Sequence, residues 1–550
     1  MKLEAFFEKF DQFADAPGAV AKMRQLVLQL AVQGKLVRQD SQEETAAKLI
    51  LRAVRARKEL VAARIVREET RDLNFLSSEE ELPTGWVRAR LSTYVGVIMG
   101  QSPPSSTYNT SGDGLPFYQG KSQFGRFNPV AADWCTKPAK VGEPGDVIIS
   151  VRAPVGPTNV LREKSCIGRG LASLRSLGGD QMHLLYTLRA FERSISSLGV
   201  GSTFIAISKS DLDNFRIPIP PLAEQKRIVA KVDELMALCD QLETQQKERE
   251  TRHAALARAS LSRFADAPTP ANLNFLFHNS YIIPPADLRK SILAVAVQGK
   301  LVPQDPHDEP ADNLIERVSR LRGQRSAAQR DKTARRLKDL DASKCTHDIP
   351  QSWAWSRLGE LVLDFRYGTS RKCVRGLTDG TPVLRIPNIQ NGRVEPTDLK
   401  FTHMPKAEFE ELRLRRGDLL LVRSNGSENL VGRSAVAKSG DERFAYAGYL
   451  VRARLPMDEV FVPFVHLALS APSVRDQIEI PIRTTSGVKN INTTELSNVT
   501  FPLPPLAEQR RIVVKVDQLM ALVDDLETGL SASRCAAAKL LDAIVGELTA

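Results

Sequence analysis

Two segments of this chain occur twice in the same order, and this duplication constrains the fold more than any other feature. Pro218–Val229 recurs almost unchanged as Pro502–Val513, and Ala31–Val37 recurs identically as Ala296–Val302. A shorter pair with a shared proline and tryptophan lies between them, at Pro83–Trp86 and Pro350–Trp353. Because a repeated order of segments is typical of a duplicated structural unit, we expect two related halves.

Each Pro-Pro-Leu-Ala-Glu-Gln motif is predicted to open a long helix. Leu222–Ala267 contains no glycine or proline, and Pro221 suits the first helical position. About 42 helical residues span roughly 60 Å, which is more than a compact core needs. Leucine and isoleucine recur every seventh residue, which favours a coiled-coil face, although a long helix inside a bundle remains an alternative. The predicted seam residues are Ile228, Leu235, Leu242, Ile512, Leu519 and Leu526.

Two further helices are predicted to be strongly basic, at Ala46–Arg71 and about Pro310–Leu340. Runs of arginine and lysine of this kind are usually solvated helix faces. A strip that binds phosphate or a protein partner is the functional alternative, and the sequence leaves both open.

The segments at 81–217 and 346–501 differ in composition from the predicted helices, because they are rich in Gly, Pro, Ser, Thr and Asn. In each, a Gly-Asp pair leads into a short apolar run that ends near an arginine, Arg152 or Arg423, as expected for a turn followed by a strand. These segments resemble each other much less than the helices do. We therefore expect an α+β fold in which two globular recognition domains of different specificity are joined by long antiparallel coiled-coil helices, with a pseudo-twofold internal repeat.

Composition narrows the class of protein. The 550 residues carry a net charge of +11, which is compatible with a nucleic-acid partner. No apolar run approaches the roughly 18 residues of a membrane span, the beginning of the chain lacks a signal-peptide core, and none of the six cysteines forms Cys-x-x-Cys. These features predict a cytoplasmic protein without disulfides or a zinc ribbon.

The common catalytic motifs of DNA enzymes were not found. The nearest approach to a phosphate-binding loop, Gly114–Ser122, has the wrong spacing and includes Pro116. Ser102–Ser105 lacks the acid or amide and the aromatic residue that an amino-methyltransferase motif needs, and the seven histidines form no His-Glu-x-x-His pattern. We expect a protein without catalytic residues or metal ligands.

The twice-occurring Pro-Pro-Leu-Ala-Glu-Gln motif, each followed by a seven-spaced helix, resembles the specificity subunits of type I restriction–modification systems (the HsdS family). The likeness extends over nearly the whole chain, apart from an extended N-terminal region and an insert around Pro268–Pro285. It implies a helical region at 1–80, a target recognition domain at 81–217, a central helical region at 218–345, a second recognition domain at 346–501 and a final helix at 502–550.

The resemblance also implies partners and cofactors. Each recognition domain would read half of a split double-stranded DNA target, and the helices would set the spacing and dock two modification subunits. Those subunits would use S-adenosylmethionine to methylate adenine, and restriction subunits, which are motor–nucleases, would use ATP and Mg²⁺. This chain itself would hold no cofactor.

The candidate DNA-contacting residues lie in glycine-flanked loops. Arginine suits guanine, and asparagine or glutamine suits adenine, while lysine, serine and threonine suit phosphates. Any one of them could instead be an ordinary turn residue. The candidates in the first domain are Gln101, Ser102, Tyr118, Gln119, Lys121, Arg152 and Thr203. Those in the second are Thr369, Arg371, Lys372, Arg385, Asn388, Arg423, Asn425, Arg483 and Lys489.

Two other classes of function compete with this interpretation. One is a coiled-coil adaptor that binds only proteins, which would lack the steep salt dependence of phosphate binding. The other is a self-sufficient methyltransferase or nuclease, which would turn over without partners.

Overall fold

The computed structural model describes residues 16, 18–63, 82–200, 205–278, 280–329, 341–345, 347–479, 483–485 and 488–549. These residues form two compact units. Unit 1 comprises the described residues up to Glu248 together with those from Ala532 onward, and unit 2 comprises Arg249–Ser531. The mixed helix and strand content that the sequence predicts is confirmed. Within the described ranges, no helix combines the length and apolar character that a membrane crossing requires.

The described residues of unit 1 form two larger sheets, one antiparallel and one mixed, a two-stranded sheet and several helices. Its main sheet has the strand order β2-β10-β7-β8, and a second has the order β3-β5-β4-β9-β6. The helices are α1 (Ala19–Val32), α2 (Ala46–Ala62), α3 (Leu91–Tyr94), α4 (Gln181–Ala190), α5 (Glu192–Ser197), α6 (Lys209–Asn214) and the start of α7 (Leu222–Asp266). The strands are β1 (Val87–Arg90), β2 (Val95–Met99), β3 (Tyr108–Asn109), β4 (Leu115–Tyr118), β5 (Asp133–Cys135), β6 (Val141–Gly142), β7 (Val147–Ser150), β8 (Thr158–Val160), β9 (Ser165–Ile167), β10 (Leu171–Ser176) and β11 (Arg216–Ile219).

Unit 2 follows a related plan with more and shorter strands. Its largest sheet has the order β13-β22-β18-β20-β16-β15. The helices are α8 (Pro270–Leu276), α9 (Pro285–Val297), α10 (Ala311–Gln329), α11 (Leu358–Leu361), α12 (Lys406–Leu412), α13 (Val462–Ser470), α14 (Pro472–Glu479), α15 (Thr493–Ser497) and the start of α16 (Leu506–Thr549). The strands are β12 (Ala354–Arg357), β13 (Asp364–Tyr367), β14 (Thr381–Leu384), β15 (Ile389–Gln390), β16 (Arg393–Val394), β17 (Lys400–Thr402), β18 (Leu419–Val422), β19 (Ser424–Asn425), β20 (Ser434–Val436), β21 (Ala445–Tyr446), β22 (Leu450–Arg454), β23 (Arg483–Thr485), β24 (Val488–Asn490) and β25 (Thr500–Leu503).

The two long helices begin where the sequence predicts. Helices α7 and α16 have 45 and 44 residues and start directly after Pro221 and Pro505. In unit 1, Ile228 and Leu235 are buried and Leu242 packs against the same core; in unit 2, Ile512, Leu519 and Leu526 do the same. The seven-spaced residues therefore bury one face of each helix.

Each unit's core combines segments of both long helices. In unit 1, residues 228–242 of α7 share a core with residues 537–548 of α16. In unit 2, residues 257–265 of α7 share a core with residues 512–526 of α16. The boundaries between the units therefore fall within the two long helices, after Glu248 in α7 and after Ser531 in α16.

The Glu-Gln pair of the repeated motif anchors each unit to its helix. Glu224 accepts hydrogen bonds from Trp86 Nε1 at 3.0 Å and Gln39 Nε2 at 3.2 Å. Gln225 Oε1 accepts from the backbone amide of Asp180 at 2.9 Å. In unit 2 the corresponding bonds are Trp353 to Glu508 at 2.9 Å, Gln304 to Glu508 at 2.6 Å and the Phe461 amide to Gln509 at 2.9 Å.

Several arginines of the predicted basic helices are used within their own unit. Arg52 pairs with Glu44, and Arg57 donates to the carbonyl of Ser92. Arg317 pairs with Glu309 at 2.5 Å and Glu459 at 2.6 Å. These three arginines therefore have acceptors within their own unit, and their contacts give no support to the phosphate-binding strip.

Candidate nucleic-acid interface

Four loops of unit 1 meet at one end of its main sheet and contain most of the contact residues predicted for the first domain. The amide of Gln101 donates to the Ile167 carbonyl at 2.9 Å, and the amide of Gly168 donates to the Tyr118 carbonyl at 2.8 Å. The amide of Val151 donates to the Gly170 carbonyl at 2.9 Å. We call the residues 100–102, 118–121, 151–152 and 168–170 the unit 1 loop cluster.

Glycines allow these loops to approach so closely. A Cβ at Gly100 would lie 2.1 Å from the Gly168 carbonyl oxygen, and one at Gly170 would lie 2.2 Å from the Gln119 carbonyl oxygen. Because backbone atoms cannot give way as a flexible side chain can, larger residues at these two positions would separate the loops.

The side chains of the loop cluster are mostly accessible. Gln101, Gln119, Lys121 and Arg152 are exposed, and Ser102 is half-buried. Among the described residues, no carboxylate lies within ion-pair distance of Lys121 or Arg152. The structure therefore brings five predicted residues together, with amides and unpaired cations available to a ligand.

Tyr118 differs from this expectation. Its ring is buried against Ile148 and Ile167, and burial raises the pKa of its hydroxyl. The side chain supports the loop from beneath, so we no longer expect it to contact a base directly. Thr203 lies outside the described residues.

Unit 2 builds the same backbone arrangement from different residues. The amide of Thr369 donates to the Tyr446 carbonyl at 2.9 Å, as Gln101 does to Ile167. The amides of Ala447 and Arg423 donate to Leu384 and Tyr449, matching those of Gly168 and Val151. Gly368 permits the close approach, since a Cβ there would lie 2.3 Å from two carbonyl oxygens. We call residues 368–372, 384–388, 423–425 and 447–449 the unit 2 loop cluster.

This correspondence corrects one detail of the sequence interpretation. Arg152 and Arg423 both follow the Gly-Asp strand, but the backbone bonds match Arg423 to Val151 and Ser424 to Arg152. The two arginines are therefore one position apart, and strand alternation gives them different directions.

Acidic neighbours hold two of the predicted cations in unit 2. Arg371 pairs with Glu408 at 2.7 Å, and Arg385 pairs with Asp398 at 3.0 Å. The Arg371 guanidinium holds the pKa of the Glu408 carboxyl below its usual range. Arg371 and Glu408 line a cleft of about 480 Å³, while the neighbouring Lys372 is exposed.

Asn388 and Thr369 have structural roles in these loops. Asn388 is fully buried, donates to the Glu395 and Thr397 carbonyls, and accepts from the Arg385 amide. Thr369 is buried, and its hydroxyl accepts from the Arg371 amide and donates to Glu408. Because these groups are committed to the loops, we no longer expect either to contact a base.

A small sheet gathers the remaining unit 2 candidates. Asn425 pairs with Lys489, and Arg483 pairs with Asn490, in the order β19-β24-β23. The Arg423 guanidinium lies 4.7 Å from the centre of the Tyr367 ring, within cation–π distance. The side chain of Arg483 lies outside the described set, so only its backbone position is known.

Sequence reasoning missed two exposed residues in the turns that close the loop clusters. Arg169 is exposed between Gly168 and Gly170, and Tyr449, at the position matching Gly170, is 60% exposed. A glycine on each side of a single arginine was the available signal in unit 1.

The chain resembles known proteins over nearly its whole length. The family model described as "Type I restriction modification DNA specificity domain" matches residues 86–250 and 476–533. The EcoEI specificity subunit of Escherichia coli is 26% identical, with 96% of this chain and 93% of that protein covered. The EcoAI specificity subunit of Escherichia coli is 27% identical over the same shares. The crystal structure of the HsdS subunit from Thermoanaerobacter tengcongensis is 42% identical over 36% of this chain and 49% of that one, with a TM-score of 0.29.

Proposed function

This chain belongs to the family of type I restriction–modification specificity subunits, and from that premise we propose that it is the non-catalytic, DNA-reading subunit of such a complex. Each unit would read one half of a bipartite double-stranded target with its loop cluster. One observation carries this proposal: the two loop clusters share a set of backbone hydrogen bonds but present different side chains. Two DNA-binding domains that share a loop framework but differ in sequence specificity require such an arrangement.

The proposal includes partners that carry the chemistry. Two modification subunits would supply S-adenosylmethionine, and restriction subunits would supply ATP and Mg²⁺, while this chain selects the site. Support comes from family membership, because the relatives are themselves specificity subunits of restriction enzymes.

We also propose that α7 and α16 pack antiparallel as a coiled coil with pseudo-twofold symmetry and thereby set the gap between the half-sites. The supporting observation is that each unit's core takes the start of one long helix and the end of the other. Inserting four residues after Gln245, with four more after Gly529 in the partner helix, adds about 6 Å of helix. DNA rises roughly 3.4 Å per base pair, so the preferred gap is expected to grow by one or two base pairs.

The test of the ruler is binding of the insertion variant, assembled with its modification subunits, to DNAs that differ only in spacer length. An unchanged optimum in a folded, assembled variant would contradict it. Loss of assembly without any shift would support helices that serve only for packing.

The main proposal is tested by selecting bound duplexes from a randomised pool with the assembled complex. A bipartite consensus and a steep log–log dependence of affinity on salt are expected. Binding without sequence preference or salt dependence would favour the protein-binding adaptor. Methyl transfer from labelled S-adenosylmethionine by the purified chain alone would instead favour an enzyme.

A further inference from the structure

The turn at 168–171 of unit 1 holds one exposed arginine in a fixed backbone frame. The Leu171 amide donates to the Gly168 carbonyl at 3.0 Å, which closes the turn. The Gly168 amide is bonded to β4, and the Gly170 carbonyl is bonded to the residue after β7. The Arg169 amide lies 3.5 Å from Ser102 Oγ. The turn is thus attached to all the other loops of the cluster.

The flanking glycines leave Arg169 as the only side chain of the turn tip. A Cβ at Gly168 would lie 3.1 Å from Gln119 Cα, Phe117 Cε2 and the Tyr118 carbonyl oxygen, and one at Gly170 would collide with the Gln119 carbonyl. The turn consequently packs directly on the backbone of Gln119. Its position is determined by backbone contacts rather than by flexible side chains.

The Arg169 guanidinium is unpaired in the described part of the chain. It makes no ion pair or side-chain hydrogen bond there, whereas Arg371 and Arg385 of unit 2 are each held by a carboxylate. An unpaired guanidinium on a fixed turn can present its planar pair of donors to a ligand without first breaking a contact. Exposed Gln101 and Gln119, whose amides suit base edges, lie on two of the three loops that contact this turn.

From this geometry, and resting on the proposed DNA-reading function, we propose that Arg169 is a specificity-determining residue that recognises a guanine in the half-site read by unit 1. A guanidinium donates two parallel hydrogen bonds to guanine O6 and N7, and that contact requires a well-placed side-chain origin. Lys121 and Arg152, on separate loops of the same cluster, suit phosphate contacts. Unit 2 carries Gly448 at the matching position, so its half-site would lack this contact.

The experiment uses the full chain assembled with its modification subunits. Wild-type protein is first taken through selection from a randomised duplex pool. Affinities are then measured for the selected site and for every single-base-pair change in it, with wild type, Arg169→Ala, Arg169→Lys and Arg152→Ala. Arg193→Ala changes an exposed arginine on α5, which is not part of the loop cluster, and is the matched control. Thermal unfolding of each variant checks that the fold is intact.

We expect Arg169→Ala to remove the preference for one G·C pair in one half-site, with a loss of discrimination of roughly 10- to 100-fold, and to leave the other half-site unchanged. Arg169→Lys should keep most of the affinity but lose much of that discrimination. Arg152→Ala should weaken binding to all sequences and lower the magnitude of the salt slope by about one. Arg193→Ala should match wild type.

Two results would overturn the assignment of Arg169 while leaving the DNA-reading function intact. One is a uniform loss of affinity in Arg169→Ala at every base pair, which identifies a phosphate contact. The other is unchanged discrimination in a folded variant. A wild-type complex that yields no consensus at all refutes the proposed function itself, so the two failures are distinguishable.

Discussion

Side-chain contacts attach each unit to its long helix, whereas backbone hydrogen bonds join the loops of each loop cluster. Trp86 with Glu224 and Trp353 with Glu508 require those residue types, as do the ion pairs of Arg24 with Asp240 and Arg289 with Asp524. The loop clusters are joined mainly by amide–carbonyl bonds, which do not depend on side-chain type except where a glycine permits the close approach. This difference explains why the sequence repeat is plain in the helical frame and faint in the recognition segments. Exposed side chains in the loops can therefore change without moving the loops.

Exchanging a whole recognition segment is the largest test of this comparison. Replacing residues 83–217 with the first domain of another family member should change one half of the DNA target and leave the other half unchanged. Discrimination between old and new half-sites should shift by roughly 10³-fold or more, within the usual range of specific over non-specific binding. The measurement is selection of bound duplexes by the assembled complex. Changes in both half-sites would mean that the units do not read independently.

The buried aspartates after the Gly-Asp turns provide the next largest effect. Asp418 binds Arg454 at 2.6 Å and lies 3.9 Å from Arg452, whose side chain is only 2% exposed. Asp146 binds Arg175, which is less buried, and accepts from the neutral Ser173 hydroxyl. Arg452 keeps its pair with Asp364 at 2.6 Å in the absence of Asp418, whereas Arg454 has no other carboxylate within ion-pair distance among the described residues. Asp418→Ala should therefore lower the unfolding free energy of unit 2 by about 3–5 kcal/mol, because it leaves the largely buried Arg454 uncompensated. Asp146→Ala should cost unit 1 about 1–3 kcal/mol.

Hydrogen exchange, measured peptide by peptide, gives the unfolding free energy of each unit separately. Adding Arg454→Leu, which replaces the unpaired guanidinium by an apolar side chain, should recover part of the stability lost in Asp418→Ala. Equal destabilisation of the two units by the aspartate variants, or no recovery in the double variant, would show that an unpaired Arg454 is not the source of the difference.

The two long helices could be predicted from the sequence, because the sequence signals for them are local or repeated. The prolines fixed the starts of α7 and α16, and the seven-residue spacing identified their buried faces. The loop positions of Gln101, Gln119, Lys121 and Arg152 were also predictable, since glycine and serine mark such turns.

Other properties of the site depend on contacts between distant residues, which no local pattern reports. The Asn388 side-chain amide donates its hydrogen bonds to the carbonyls of Glu395 and Thr397, seven and nine residues later. Arg371 is paired with Glu408, 37 residues later. The offset between Arg152 and Arg423 follows from strand pairing, because a shift of one position reverses the side-chain direction. The packing of three other loops around the turn that carries Arg169 is likewise not reported by any local pattern.

The paired cations of unit 2 predict a moderate effect on DNA binding. Glu408→Gln should release Arg371, raise the affinity for non-specific DNA several-fold at low salt and increase the magnitude of the salt slope by about one. Glu410→Gln is a matched control, because Glu410 lies on the same helix and pairs with Arg413 instead. The measurement is a salt titration of binding to a duplex without the target sequence. Identical slopes for Glu408→Gln and wild type would place Arg371 away from the phosphates.

The smallest predicted effect tests whether the matching glutamates of the two long helices have the same electrostatics. Glu224 and Glu508 are buried, and burial raises the pKa of each carboxyl despite hydrogen bonds from tryptophan and glutamine that lower it. A carboxyl with a raised pKa in the folded state binds its proton more tightly there. Its contribution to stability is therefore greatest at low pH and is lost as the pH rises from the ordinary glutamate value of about 4.5 through the folded pKa.

Glu224→Gln and Glu508→Gln remove this titration and keep an acceptor for the tryptophan. The unfolding free energy of each variant, relative to wild type, should thus increase between about pH 4 and pH 7, with the same sign and a similar size in both units. Trp86→Phe should steepen the pH dependence of unit 1, because it removes a bond that lowers the pKa of Glu224. Opposite slopes for the two glutamine variants would mean that matching hydrogen bonds do not give the two frames matching electrostatics.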